Sequence, residues 1–259
     1  MIAVLATYYS IVFGIMGLLI GSFLNVVIYR VPRGESIVKP GSHCPSCGHV
    51  LKAWELVPIL SFLVQRGRCR KCRTKISWRY PGVELLTGLL FFYAVWQKNG
   101  VLDARLMLNL IFLATLVALA FIDYDTMRLP DVLTLPLLGI GLLGAFLLPG
   151  QPSGWVSLAS AVGIGGLFWL IATFYPRGMG MGDVKLVAAM GAFLGFPEIF
   201  LAIFLASLMG SLVGMGLLLL HKHQSKKHLP FGPFLSAGGI AALFWGQQIY
   251  ASYISYLAR

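Results

Sequence analysis

The protein has 259 residues, of which 58% are hydrophobic and only 11% are charged, and its mean hydropathy is +0.82. A soluble domain carries about a quarter of its residues as charges, so this composition excludes an ordinary water-soluble fold. The formal net charge of +11 would also fit a nucleic-acid-binding protein. The positions of the basic residues argue against that interpretation.

Long apolar runs predict about eight helices that cross a membrane, since a helical span needs about 20 such residues. Continuous runs favour helices over a β-barrel, whose strands alternate. The sixth run is short, and we expect its helix to be tilted or only partly spanning. No Lys or Arg precedes Arg30, so the first run reads as an uncleaved helix rather than a signal peptide. The runs cover residues 8–28, 82–97, 106–122, 132–149, 155–174, 184–196, 198–220 and 231–252.

Basic residues are concentrated on one side of the predicted membrane topology. Eleven of the 20 Lys and Arg residues lie in residues 30–79, between the first two spans, and eight spans bring the total on that side to 17. Basic loops mark the cytoplasmic face, so we expect both termini outside. The basic stretch 221–228 is interpreted as a topology anchor beside anionic lipid. Membrane lipid, and no nucleic acid, is therefore the expected partner of the positive charge.

Residues 30–79 form the one sizeable polar segment, and they contain two CxxC pairs. Four thiolates with this spacing predict a structural Zn²⁺ site that leaves no open position for catalysis. Two disulfides are the alternative, which a reducing cytoplasm disfavours. His43 and His49 are read as surface residues rather than ligands. The metal would stabilise a segment too short to bury a good core. The predicted ligands are Cys44, Cys47, Cys69 and Cys72.

Two acidic residues at the ends of apolar runs are the candidate catalytic groups. Asp123 follows the third run and Asp183 precedes the sixth, in a chain with only nine acidic residues. Carboxylates at a membrane edge are costly, and they mark functional sites. Asp125 reads as an exposed loop acid and Asp131 as the N-cap of the fourth span. Asp183 has a similar alternative interpretation, as the N-cap of the sixth span.

Glycines alternate before Asp183, at Gly178, Gly180 and Gly182. Glycine permits a close approach of another backbone, so this segment would let a substrate strand lie against Gly180 and Gly182. The alternative is a flexible loop. Two carboxylates on one side predict acid–base hydrolysis of a peptide bond, in which one Asp activates water and the other protonates the carbonyl oxygen. The alternatives are a proton-coupled carrier that uses Asp123 and Asp183, and a scaffold built on the zinc module.

Several motifs together resemble the bacterial type IV prepilin peptidases, membrane aspartyl proteases of the GxGD type. The resemblance covers nearly the whole chain. It rests on residues 21–30, the two CxxC pairs, residues 79–88, the segment from Asp123 to the Leu-Pro-Asp at 129–131, and Gly-Met-Gly-Asp at 180–183.

The resemblance implies cleavage of the basic leader of type IV prepilins and type II secretion pseudopilins. Cleavage would follow a glycine at the cytoplasmic face of the inner membrane, with Asp123 and Asp183 as the catalytic pair. It also implies N-methylation of the new N-terminus with S-adenosylmethionine as donor. Glu84 is a candidate for the methylation site or for binding the substrate amine. Alternatively, Glu84 is a charge partner of Arg79 or Lys75. We expect three parts: a first helix at 1–29, a zinc-ribbon-like cytoplasmic domain at 30–79, and a protease domain at 80–259.

Overall fold

The computed structural model describes residues 2–150, 152–175, 179–220 and 229–257. Across these residues the chain forms nine α-helices, two short 3-10 helices and two isolated β-bridges. The basic stretch 221–228 and Gly178 lie outside the described residues. The helices are α1 Ile2–Arg30, α2 Leu60–Val64, α3 Arg79–Gln97, α4 Ala104–Thr126, α5 Asp131–Leu147, α6 Gly154–Phe174, α7 Met181–Leu194, α8 Glu198–Leu219 and α9 Gly232–Leu257.

Eight of these helices correspond to the eight apolar runs, and the prediction of an all-α membrane fold is confirmed. Only α2, which lies between the two CxxC pairs, has no counterpart among the runs. By length and composition, four helices of the described ranges are long and apolar enough to cross a membrane. The exact number of spans stays a prediction. The four are Ala3–Arg33, Ala104–Thr126, Gly154–Phe174 and Glu198–Leu219.

The chain divides within α4 into two compact units, residues 1–118 and residues 119–259. The N-terminal unit holds the cysteines, and the C-terminal unit holds Asp123 and Asp183. The three-part division predicted at residues 29 and 79 stays a prediction. The boundary within α4 is a property of helix packing, because each side of it has its own set of helix contacts.

In the N-terminal unit, α1 packs along α3 through small residues. A Cβ on Gly17 would lie 2.9 Å from the Cα of Gly88, and a Cβ on Gly21 would lie 2.7 Å from the Cα of Glu84. Glycines of this kind let membrane helices approach backbone to backbone. The side chain of Asn25 adds a polar link, since its amide donates to the Tyr80 carbonyl at 3.1 Å.

In the C-terminal unit, α7 is the central helix. Nine of its residues are buried, and it packs against α5, α6, α8 and α9. Small residues permit this: a Cβ on Gly191 would lie 3.0 Å from the backbone of Ser160, and one on Gly165 would lie 2.8 Å from the Ala188 Cβ. This buried helix corresponds to the short sixth apolar run.

Both N-cap interpretations of the acidic residues are wrong. Helix α5 begins at Asp131, with Pro130 in the cap position, because proline adopts the extended backbone that precedes a helix. Gly180 caps α7, and Asp183 occupies the third position of that helix. Its Oδ2 accepts a hydrogen bond from the Gly180 amide at 3.3 Å. Asp183 therefore supports the start of α7 from within the first turn.

Candidate active site and metal centre

The Asp123 carboxylate is buried near the C-terminal end of α4, with 6% of the residue exposed. Its Oδ2 accepts a hydrogen bond from the backbone amide of Gly232 at 2.8 Å. Gly232 is the first residue of α9, and the amides of a helix N-terminus stabilise an anion. A Cβ on Gly232 would lie 2.7 Å from the same oxygen, so this approach requires glycine.

The Asp183 carboxylate lies in the first turn of α7, half-buried. It is also close to a helix N-terminus, through its hydrogen bond with the Gly180 amide. The first turn of α7 packs against Leu129, which follows Asp123 by six residues in the chain, and the two carboxylates are close enough to interact electrostatically. The structure therefore brings both predicted catalytic carboxylates to the same part of the C-terminal unit. Asp125 is exposed. Two adjacent carboxylates favour a state in which one is ionised and the other protonated.

Two contacts connect the chain after Asp123 to the start of α7. Lys185 Nζ lies 2.7 Å from both carboxylate oxygens of Asp131. A Cβ on Gly182 would lie 2.9 Å from the Leu129 Cβ, so glycine lets α7 begin directly against this buried leucine. Among the described residues, which exclude 176–178, the atoms near the Cβ position of Gly180 belong to Asp183 and to the neighbouring Gly182 amide. Of the two glycines predicted to lie along a substrate, Gly182 therefore contacts the protein's own chain.

The four cysteines converge in the N-terminal unit. Their Sγ atoms all lie within 4.8 Å of one another, with Cys44 and Cys72 at 3.7 Å and Cys47 and Cys69 at 4.0 Å. A tetrahedral ion with metal–sulfur bonds of about 2.3 Å holds its ligands about 3.8 Å apart. The cluster therefore fits a four-sulfur metal site. Neither His43 nor His49 belongs to this group of possible ligands among the described residues.

The two CxxC pairs form matching turns. The amide of Cys44 donates to the His49 carbonyl, and the amide of Cys69 donates to the Thr74 carbonyl. The fourth residue after each first cysteine has a left-handed backbone, with φ of +67° at Gly48 and +62° at Arg73. Hydrogen bonds with Thr74 lower the pKa of Cys72, which favours the thiolate that a metal binds.

Glu84 lies in the first turns of α3 and is buried. Its Oε2 accepts a hydrogen bond from the Ile59 amide at 2.8 Å, and the Ser22 hydroxyl also hydrogen-bonds to the carboxylate. The carboxylate thus links α1, α3 and the segment between the cysteine pairs. This position is inside the N-terminal unit rather than on its surface.

Two protein-family models match most of the chain. The Bacterial Peptidase A24 N-terminal domain matches residues 15–98, and the Type IV leader peptidase family matches residues 110–215. A relative from Aeromonas salmonicida, named prepilin leader peptidase/N-methyltransferase, is 40% identical over 96% of this chain and 94% of its own length.

The chain belongs to the type IV leader peptidase family.

Relatives with the same name occur in Pseudomonas aeruginosa and Neisseria gonorrhoeae. The first is 38% identical over 93% of this chain and 92% of its own length. The second is 40% identical over 87% of this chain and 86% of its own length. No solved structure matches the chain. The leader peptidase family match covers Asp123 and Asp183, while the N-terminal family match covers the cysteines and Glu84.

Three contacts of this leader peptidase were not found from its sequence. They are the Gly232 amide on Asp123, the Lys185–Asp131 ion pair and the approach of Gly182 to Leu129. The sequence signal for the Asp123 contact is Gly232 itself, which lies between Phe231 and Pro233 at the start of the last apolar run. Lys185, two residues after Asp183, was the signal for the second. Neither signal specifies its partner in the folded chain.

Proposed function

We propose that the protein is a membrane aspartyl endopeptidase that removes the leader of type IV prepilins and type II secretion pseudopilins. It then N-methylates the new N-terminus. The observation that carries the first activity is the proximity of Asp123 and Asp183, each with a carboxylate at a helix N-terminus. The names of the relatives, prepilin leader peptidase/N-methyltransferase, support both activities.

In the proposed cleavage reaction the two aspartates act as a pair. The ionised carboxylate takes a proton from a water molecule, whose oxygen then attacks the carbonyl carbon of the scissile bond. The protonated carboxylate donates its proton to the carbonyl oxygen. Collapse of the tetrahedral intermediate breaks the C–N bond and returns a proton to the leaving amine. The amides of Gly232 and Gly180 stabilise whichever carboxylate is ionised at each stage.

The proposed orientation places this pair at the cytoplasmic face of the inner membrane. It is supported by the 17 basic residues that eight spans put on one side. A proton-coupled carrier that uses Asp123 and Asp183 has no support from the family or from the relatives. The substrate is proposed to pass beside Gly180, next to Asp183.

The proposed metal is a structural Zn²⁺ held by Cys44, Cys47, Cys69 and Cys72. Four thiolates occupy all four coordination positions of a tetrahedral zinc ion. The bound ion would stabilise the fold of residues 30–79. For methylation, S-adenosylmethionine would supply an electrophilic methyl group on a sulfonium. Transfer of that methyl group to the new amine would leave a neutral thioether, and the amine would release one proton.

The test is cleavage of a prepilin-type substrate in membranes that contain the wild type or a variant. We expect Asp123→Asn and Asp183→Asn to abolish cleavage, because either change removes one partner of the pair. Asp125→Asn is the matched control and should cleave at nearly the wild-type rate. With added S-adenosylmethionine, mass spectrometry should find a product N-terminus heavier by about 14 Da, a methyl group in place of a hydrogen.

Two results would count against the proposal. Equal cleavage by all three variants would exclude Asp123 and Asp183 from catalysis. Cleavage without any mass gain in the wild type would remove the methyltransferase activity and leave the peptidase.

A further inference from the structure

A cavity in the N-terminal unit lies where α1, α3 and the cysteine-containing segment meet. Its volume is about 280 Å³, close to the lower end of the range of roughly 300–1,000 Å³ for small-molecule pockets. Asn25 of α1 and Glu84 of α3 line it, together with Glu55 from the segment between the cysteine pairs. Residues on both sides of Cys44 complete one wall.

The cavity concentrates negative charge in a strongly basic protein. Of the nine acidic residues of the chain, three line it, namely Glu35, Glu55 and Glu84, against one basic residue, Arg30. The guanidinium of Arg30 already donates to the carbonyls of Ser36 and Gly41. The lining therefore favours a cation.

Two buried oxygen atoms of the lining have no hydrogen-bond partner within the described residues. They are Oδ1 of Asn25 and Oε1 of Glu55, on residues that are 3% and 5% exposed. The other polar atoms of both side chains are used: Asn25 donates to two carbonyls, and Oε2 of Glu55 accepts from the Lys52 amide at 2.9 Å and pairs with Nε2 of His49 at 3.2 Å. A buried acceptor without a donor costs free energy, and a bound ligand that donates hydrogen bonds would remove that cost.

The remaining lining is apolar and aromatic. Tyr29, Phe62 and Tyr80 contribute rings, which suit a flat heterocycle. The occupant that this lining selects is positively charged, carries several N–H or O–H donors and includes a planar ring. A sulfonium nucleoside has all three properties: the sulfonium charge, an ammonium, ribose hydroxyls and the exocyclic amine of adenine.

We infer that this cavity binds the methyl donor, S-adenosylmethionine, with Asn25, Glu55 and Glu84 facing its positively charged and hydrogen-donating groups. The inference rests on the N-methyltransferase activity proposed above. It separates the two activities along the chain, because the donor site lies entirely in the N-terminal unit and both catalytic aspartates lie in the C-terminal unit. Glu55 and Asn25 are residues that bind the donor, and neither takes part in peptide cleavage.

Two isosteric changes test the inference, Glu55→Gln and Glu84→Gln. Each glutamine keeps one oxygen for the backbone amide that the glutamate accepts, from Lys52 at 2.9 Å or from Ile59 at 2.8 Å. Each also removes a negative charge. Glu198→Gln on α8 is the matched control, the same chemical change in the other unit.

The measurement is binding of radiolabelled S-adenosylmethionine to the full-length protein in lipid nanodiscs, with cleavage and methylation followed in parallel. We expect each cavity variant to raise the Kd for the donor by about tenfold or more, as loss of a charged hydrogen bond does. Cleavage should be unchanged, and Glu198→Gln should match the wild type in all three assays. The wild type should prefer the sulfonium over the neutral thioether S-adenosylhomocysteine, and the variants should lose that preference.

A second measurement uses the wild type alone, in case a variant does not fold. An azidoadenosine analogue of the donor should label residues that line the cavity on illumination, as mapped by mass spectrometry. Labels found only elsewhere would overturn the inference.

Three other outcomes would also overturn it, and they are distinguishable. An unchanged donor Kd in both variants, with methylation intact, would place the donor elsewhere. A raised KM for the substrate peptide at unchanged donor Kd would assign the cavity to the peptide. A wild type that cleaves but neither binds the donor nor methylates would overturn the proposed methyltransferase activity itself.

Discussion

The Gly232 amide hydrogen-bonds to Asp123 across 109 residues of sequence, at 2.8 Å. It links the C-terminal end of α4 to the first turn of α9, so the last helix contributes directly to the environment of a candidate catalytic carboxylate. The contact depends on the absence of a side chain, since a Cβ on Gly232 would lie 2.7 Å from Oδ2 and 2.9 Å from Cβ of Asp123.

Replacement of Gly232 by alanine should therefore abolish or strongly reduce cleavage. The added methyl group would push the Asp123 carboxylate away from the Gly232 amide, and losing one such donor costs about 10²–10³ in rate where it stabilises charge. The measurement is the rate of prepilin cleavage in membranes. Gly139→Ala is the matched control, because a Cβ on Gly139 of α5 meets no described residue within 4 Å. Equal rates for the two variants would show that Asp123 does not need this contact.

The ion pair of Lys185 and Asp131 should contribute little to stability and measurably to activity. Both side chains are partly exposed, at 33% and 56%, and such pairs contribute at most about 1 kcal/mol. We expect Lys185→Gln to lower the cleavage rate by at most about fivefold, equivalent to that free energy, by loosening the start of α7.

The charge-reversed double variant Lys185→Asp with Asp131→Lys should recover much of the loss. Lys98→Gln is the control, since Lys98 forms an exposed pair with Asp103 at 3.8 Å in the other unit. A loss of more than about 100-fold in Lys185→Gln would instead indicate that Lys185 contacts the substrate.

Arg73 adopts a backbone conformation that suits glycine, as its counterpart Gly48 shows. Left-handed geometry costs a residue with a side chain roughly 1–2 kcal/mol, partly offset by the greater entropy of glycine in the unfolded chain. Arg73→Gly should therefore stabilise the cysteine-containing segment by about 0.5–1 kcal/mol, and Gly48→Arg should destabilise it by a similar or larger amount.

The readout for these turns is the rate at which a chelator removes the proposed zinc ion from the purified protein. It should be slower for Arg73→Gly and faster for Gly48→Arg. Lys71→Gly is the control in the same turn, at a position without positive φ, and it should release zinc somewhat faster than the wild type. Faster release from Arg73→Gly would mean that the arginine side chain contributes more to metal retention than its unfavourable backbone conformation costs.

Gly21 should be essential for the contact between α1 and α3. A Cβ there would lie 2.7 Å from the Glu84 Cα and 3.0 Å from the Val83 carbonyl oxygen, and backbone atoms cannot move aside as a flexible side chain can. Overpacking of this kind costs roughly 1–3 kcal/mol. We expect Gly21→Ala to lower the thermal unfolding temperature and to reduce methylation more than cleavage, because it displaces Glu84.

Gly82→Ala is the matched control for this change. Gly82 lies on the same helix pair, and a Cβ on it would have no atom within 4 Å in the part of the chain that the structure describes. That variant should be as stable as the wild type or slightly more stable, as alanine favours a helix. Similar methylation by both glycine variants would show that the distance between α1 and α3 is not critical.

The helices and the convergence of the four cysteines could be predicted because their signals are local, while the role of these cysteines as zinc ligands stays a proposal. An apolar run predicts a helix whatever that helix packs against. Each CxxC pair forms a turn within its own short stretch of sequence. The two aspartates were identified by their rarity and by their position at the ends of runs. Their catalytic role stays a proposal, as does that of Glu84.

The partners of these residues could not be predicted, because distant parts of the chain provide them. Nothing beside Asp123 indicates Gly232, and nothing beside Asp131 indicates Lys185, 54 residues away. The helix caps were misassigned for a related reason. Aspartate is common at N-caps, but a preceding proline or glycine takes that position here. The cavity acceptors were missed because an unpartnered oxygen can be recognised only in the fold.

Cys44 is the neighbour of both His43 and Pro45, and these two residues line the cavity of the N-terminal unit. Under the two proposals, the metal centre is also a wall of the donor pocket. A cell short of zinc would then accumulate pilins that are trimmed but carry a free amine, since the wall would loosen while the aspartates stayed in place. Metal supply would become a control on how far pilin maturation proceeds.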